Sequence, residues 1–110
     1  MALELLKRHV RSLAVKDFYW GKSGARWQEI MAPLGEGMCN YPDFFKRLQS
    51  YQFNGPVSMH FEYPMPHEIM KDVPQNQILD ETKRVMRRDL TVLRRLLLNS
   101  GLTEGGNKAE

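Results

Sequence analysis

The chain has one cysteine, Cys39. That scarcity excludes an internal disulfide framework and any zinc site built on several thiolates. Long apolar runs are missing too: no stretch reaches the ~18 residues that a membrane span needs. The opening MALELLKRHVRS lacks the basic–apolar–small order of a signal peptide, so a cytoplasmic chain is expected. Charge of one sign is scarce, with 16 Lys+Arg against 13 Asp+Glu leaving a net charge of +3. An obligate nucleic-acid binder carries far more. Gly35-Glu36-Gly37 has too few glycines for a phosphate-binding loop and reads as a tight turn. What is present is an ordinary globular mix, 42% apolar and 26% charged over 110 residues, enough for one modest domain.

Residues 2–9 read as a short amphipathic helix, with Leu3, Leu6 and Val10 near helical spacing. Residues 12–17 form a short apolar run around Leu13, Ala14 and Val15, the pattern of a buried strand in a parallel sheet. A long loop is expected over 18–41, with one extended piece at 27–34. Asn40-Tyr41-Pro42-Asp43 starts a helix over 42–51, proline being tolerated in the first turn and Asp43 complementing the helix dipole. Over 57–63, Val57, Met59, Phe61 and Tyr63 alternate with Ser58, His60 and Glu62, a strand pattern. A proline-bearing loop at 63–74 leads to a helix over 75–99, whose apolar stripe is Ile78, Val85, Met86, Leu90, Leu93, Leu96 and Leu97. Gly101 is placed to cap it, and 103–110 read as a flexible tail.

Strand, helix, strand in this order predicts a parallel βαβ unit, extended to βαβα by the last helix and preceded by a short one. In α/β proteins the loops after the strands carry the chemistry. Attention therefore falls on 18–41 and 63–74.

Alternation puts Ser58, His60 and Glu62 on the face of their strand away from the helices. Ionisable groups at i and i+2 point the same way, ~6–7 Å apart along the chain. Burying them without partners is costly, so this face is either wet or binds something. By the same logic Lys16 points with Ala14 toward that side, and Asp17 ends the strand. Lys16 either holds an anionic oxygen or polarises a carbonyl, or it forms a structural ion pair with Asp17 or Glu62. Glu36 reads as a polar lining residue or an exposed loop carboxylate. Phe18, Tyr19, Trp20 and Trp27 either wall a pocket edge or pack their loop down. The run Lys83, Arg84, Arg87, Arg88, Arg94 and Arg95 reads as a solvated helix face, with few stacking aromatics to support nucleic-acid binding.

LAVKDFYW followed by PLGEGMCNYPDFFKRLQSYQFNGPVSMHFEYP resembles the C-terminal part of the sugar phosphate isomerase/epimerase family, whose fold is the xylose-isomerase-like TIM barrel. The resemblance covers residues 3–99 and is most specific at Val15-Lys16-Asp17, over 33–37 and over 55–62. It implies that the two strands and the helices after them correspond to the last two strand–helix repeats, so that residues 1–102 are the C-terminal part of a barrel. It further implies metal-assisted proton transfer on a sugar or sugar phosphate, with a divalent ion (Mn, Mg, Zn or Co) stabilising an enediolate while carboxylates move the proton. Lys16 and Asp17 match the family pattern. Ala14 stands where the family often has histidine, and His60 where its last-strand glutamate falls. The implied roles are Lys16 and Glu62 as catalytic groups, His60 and Glu62 as metal ligands, and Asp17, Glu36 and Trp20 as substrate contacts.

A complete barrel of this class takes roughly 250 residues and eight strands, so the expectation is a partial unit, inactive alone. A non-enzymatic alternative is a module whose strand edges pair with a second copy or a complementing chain.

Overall fold

The structure, a computed structural model, describes residues 2–102; the tail expected over 103–110 lies outside them. The element order is α1 (Ala2–Leu6), β1 (Leu13–Val15), β2 (Asp17–Ser23), β3 (Arg26–Ala32), α2 (Tyr41–Ser50), β4 (Val57–Met59), α3 (Pro66–Ile69) and α4 (Gln75–Asn99). β1 and β4 pair in parallel, Leu13 opposite Val57 and Val15 opposite Met59, with α2 in the crossover between them. A second two-stranded sheet is the antiparallel hairpin β2–β3. The described residues form no closed barrel.

One core cluster joins the parallel pair to the helices: Val15, Leu34, Phe45, Leu48 and Leu93 are buried together, with Leu3, Leu13, Val57 and Met59 packed against them. Phe45 is fully buried, and enclosure of one such ring is worth ~1.5–3 kcal/mol. A second cluster, Tyr63, Met65 and Val85 with Met31 and Phe61, lies farther toward the N-terminal half of α4. That helix is ~37 Å long at 1.5 Å per residue, long enough to serve both. The Cα radius of gyration is 16.6 Å, against ~13 Å for a compact ball of this length. The chain is an open slab, with one face of its small parallel sheet uncovered.

Local chemistry explains the helix ends. The Asn40 side chain accepts the Asp43 N–H at 3.3 Å and caps α2. At the other end the Gln52 N–H donates to Gln49 O and the Phe53 N–H to Leu48 O, a Schellman closure with Gln52 at φ 59°. α4 closes the same way through Gly101 and Leu102, which donate to Leu98 and Leu97.

Four expectations need correction. The strands are shorter than their alternation suggests, because the Lys16 backbone turns to the Tyr41 hydroxyl, which takes its N–H at 3.0 Å and donates to its carbonyl. The ladder then ends where the His60 N–H reaches Val15 O at 2.9 Å. Residues 18–41 are mostly not loop, since β2 and β3 pair from Asp17–Ala32 to Ser23–Arg26. Their turn places Gly24, at φ 63°, as its first central residue, the type II′ pattern. The segment 63–74 contains the short helix α3. On α4, Met86 faces solvent, while the buried positions are Val85, Asp89 and Leu93, at steps of four.

Candidate functional site

At the C-terminal end of the parallel pair the alternation of exposed and covered side chains continues past the last ladder bond. Lys16, His60 and Glu62 are exposed, while Val15, Phe61 and Tyr63 turn toward the helices. The backbone thereby brings three ionisable groups together from two strands. Lys16 Nζ lies 2.8 Å from Glu62 Oε2, and His60 Nδ1 lies 3.7 Å from the same oxygen. Each of the three side chains keeps between 42% and 49% of its surface in water.

The electrostatics follow from these contacts. The bond from Lys16 holds the Glu62 carboxyl below its ordinary value against a small opposing desolvation, with His60 adding to the effect. Lys16 is in turn held above its ordinary value, first by the bond to Glu62 and more weakly by the field of Glu29 on β3. The result is an ionised carboxylate beside an ammonium, open to a ligand. Such a cluster can seat a polyol or carbonyl oxygen against Lys16 while Glu62 exchanges a proton with the neighbouring carbon.

Asp17, one residue from Lys16, faces the other way. It is 1% exposed. Oδ1 accepts the N–H groups of Phe18 (2.9 Å) and Cys39 (3.1 Å), and Oδ2 those of Gly35 (2.9 Å) and Gly37 (3.2 Å). Both oxygens are thus committed to tying residues 35–39 to the end of β1. Burial, together with Asp17, pushes the Cys39 thiol above its ordinary value, so this cysteine is a poor nucleophile. Glu36 stands exposed in the turn whose N–H returns to Pro33 O. Trp20, 53% exposed, stands on the hairpin with its ring edge-on to Phe18 at 6.0 Å. It shares a hairpin face with Glu29, its directly paired residue. The structure therefore brings Lys16, His60 and Glu62 into one cluster. Asp17 sits beneath it, and Glu36 and Trp20 stand on the hairpin and turn that follow β1.

Among the described residues no group of three or more His, Cys, Asp or Glu side chains is placed to hold a metal ion. His60 and Glu62 are two donors, and Lys16 already occupies one Glu62 oxygen. Two such donors do not by themselves make the larger ligand set that Mg, Mn or Zn takes.

A second polar cluster was not legible from sequence. Asp89, 1% exposed, accepts hydrogen bonds from the Tyr63 hydroxyl and, at 3.1 Å, from Nε–H of Arg88. Burial and the Asp89 bond raise the Tyr63 phenol far above its ordinary value. Tyr63 and Arg88 line an open cleft of about 800 Å³, together with Pro33, Ile69, Met70 and Arg84. The one available signal was an acid standing between Val85 and Leu93 on the apolar face of a helix.

No helix among the described residues is long and apolar enough to cross a membrane. No protein-family model, curated protein or solved structure matches the chain.

Proposed function

We propose that this chain supplies the last two strand–helix repeats of a sugar or sugar phosphate isomerase/epimerase barrel, acting in the cytoplasm, with Lys16, His60 and Glu62 at its mouth. One observation carries the reading: an ammonium, an imidazole and an ionised carboxylate converge within 3.7 Å at the C-terminal end of a parallel strand pair, where α/β proteins place their chemistry. In this reading Lys16 binds the carbonyl oxygen of an open-chain sugar and stabilises the negative charge that develops on it. Glu62 removes the proton from the adjacent hydroxyl-bearing carbon and returns it to the former carbonyl carbon, while the hydroxyl proton passes from that carbon's oxygen to the former carbonyl oxygen, so that carbonyl and alcohol exchange places. His60 hydrogen-bonds a second sugar oxygen. A divalent metal, where one is bound, draws at most His60 and Glu62 from this chain.

The test is a backbone and side-chain NMR titration with a ketose phosphate. Saturable shifts at Lys16, His60 and Glu62, lost in Glu62→Gln, are expected. The absence of any saturable shift there at high millimolar sugar would sink the reading. A turnover assay on the same chain with ketose, aldose and Mn²⁺ is expected to be flat. Clear activity abolished by Glu62→Ala would overturn the view that the chain supplies only part of a site.

The non-enzymatic alternative, a module that pairs with a second copy or a complementing chain, draws on the uncovered face and edges of β1–β4. Light scattering separates the two, since a stable monomer at micromolar concentration counts against self-pairing.

A further inference from the structure

At the opposite end of the same strands lies a second recess that the sugar reading does not use. Its volume is about 380 Å³, within the range of small-ligand sites. The segment entering β1 lines one side with Lys7, Arg8, Val10 and Arg11, and the turn from α2 into β4 lines the other with Tyr51, Gln52, Asn54 and Gly55. Five residue-to-residue steps of extended chain lead from Arg11 to Lys16, ~16 Å at 3.3 Å per residue. The two sites are therefore distinct.

The charge of this recess is one-sided. Lys7 is the most engaged cation, 3.6 Å from Glu4 and over the Tyr51 ring at 4.8 Å. Arg11 spends one guanidinium nitrogen on Arg8 O at 2.9 Å, leaving its other nitrogens for a ligand. The Arg8 guanidinium has no partner among the described residues. Glu4, the carboxylate that Lys7 contacts, accepts the Tyr51 hydroxyl and lies 3.6 Å from Arg47, which keeps it ionised and occupied. The C-terminal end of α2 points its negative pole this way. Its last carbonyls, however, are covered by the N–H groups of Tyr51, Gln52 and Phe53, and three cations outweigh a partial charge.

We propose that this recess binds a compact phosphate-bearing ligand, with Arg8 and Arg11 as the charge-assisted donors and Lys7 as a supporting charge. A phosphate group answers each feature: it is small enough for the recess, it accepts several N–H donors at once, and it neutralises the excess charge. An uncharged sugar leaves the excess charge unneutralised, and an extended apolar peptide offers neither the acceptors nor the charge.

The experiment is an amide NMR titration of the full chain with inorganic pyrophosphate at low ionic strength. The expected result is a single saturable set of shifts confined to residues 7–11 and 51–55, weakening as salt is added. In the double variant Arg8→Ser, Arg11→Ser, affinity falls about tenfold or more. Both side chains are exposed, so the variant keeps its fold, which the same spectra report. Arg87→Ser with Arg95→Ser on α4 serves as the control and leaves binding unchanged. Three outcomes overturn the proposal: no saturable shift at high millimolar pyrophosphate, shifts spread over the arginines of α4, or equal affinity in the Arg8/Arg11 variant. Tighter binding of an oligothymidine than of pyrophosphate also overturns it, in favour of a nucleic-acid surface. None of these outcomes depends on whether Glu62 binds sugar.

Discussion

Asp17 and Glu62 stand at the same end of the β1–β4 pair and are put to opposite uses. Asp17 is buried and shares its two oxygens among four backbone N–H groups. Glu62 is open to water and shares one oxygen with the Lys16 ammonium and the His60 imidazole. The first arrangement fixes backbone, because its donors cannot move without unfolding the turn. The second fixes very little, because long side chains in water exchange partners cheaply. A carboxylate that holds structure and one that is free to act thus differ in the mobility of what they bind, more than in the strength of any one bond. The strand's alternation decides which is which, since Lys16 and Asp17 are neighbours pointing to opposite sides.

The largest effects should come from attacking the buried member. Asp17→Ala leaves four N–H groups without their acceptor, and a loss of about 3 kcal/mol is expected in urea denaturation. Asp17→Asn is informative because it keeps the shape. Whichever way its amide is turned, an NH₂ group faces two N–H donors, so this variant should also lose about 2 kcal/mol. A wild-type midpoint for Asp17→Asn would show that the amide cradle is not what holds the turn. Gly37→Ala comes next, since a methyl group there would land on the Asp17 carboxylate and the Phe18 carbonyl. About 1–2 kcal/mol is expected, with amide exchange at Gly35, Gly37 and Cys39 rising most.

Much of this was legible in the residues themselves. The alternation Val57–Met59–Phe61–Tyr63 assigns faces that the structure keeps, even past the last ladder bond, because extended backbone alternates whether or not it is paired. The α4 boundaries and the Asn40 start of α2 are local chemistry, and local chemistry is what a sequence displays. The hairpin was hidden for a different reason. Gly24-Ala25 sits between Phe18-Tyr19-Trp20 and the 27–32 segment, a two-residue turn between strand formers, but the surrounding Lys, Ser and Arg read as loop. Asp17 and Asp89 were hidden because, beyond the adjacent Phe18 and Arg88, their partners lie 18 to 26 residues away, and no short-range pattern announces a buried acid whose oxygens are satisfied by distant chain. The recess at Arg8 was missed likewise, since its two walls are about 40 residues apart in sequence and meet only through the parallel pairing.

The smallest effects belong to the open member of the pair. Glu62→Gln removes the Lys16 ion pair, which water already screens, and the looser His60 contact, so the denaturation midpoint at neutral pH should not move measurably. Its titration should move instead. The Lys16 bond lowers the Glu62 pKa relative to the unfolded chain. Any stability the pair contributes is therefore present above the unfolded value of 4.5 and fades as pH falls through the lower folded value. On the alkaline side Lys16, raised above 10.5, contributes below that pH and loses its contribution as pH rises through the folded value. Lys16→Met breaks the pair from the other side. The Glu62 carboxyl, followed by its side-chain carbon resonance, should then titrate closer to 4.5, with only the weaker His60 contact still acting to lower it. An unchanged Glu62 titration in Lys16→Met would mean that the two groups are not paired in solution. The same experiment on Glu4 provides the comparison, because its carboxyl is lowered chiefly by the Tyr51 hydroxyl and should be indifferent to Lys16.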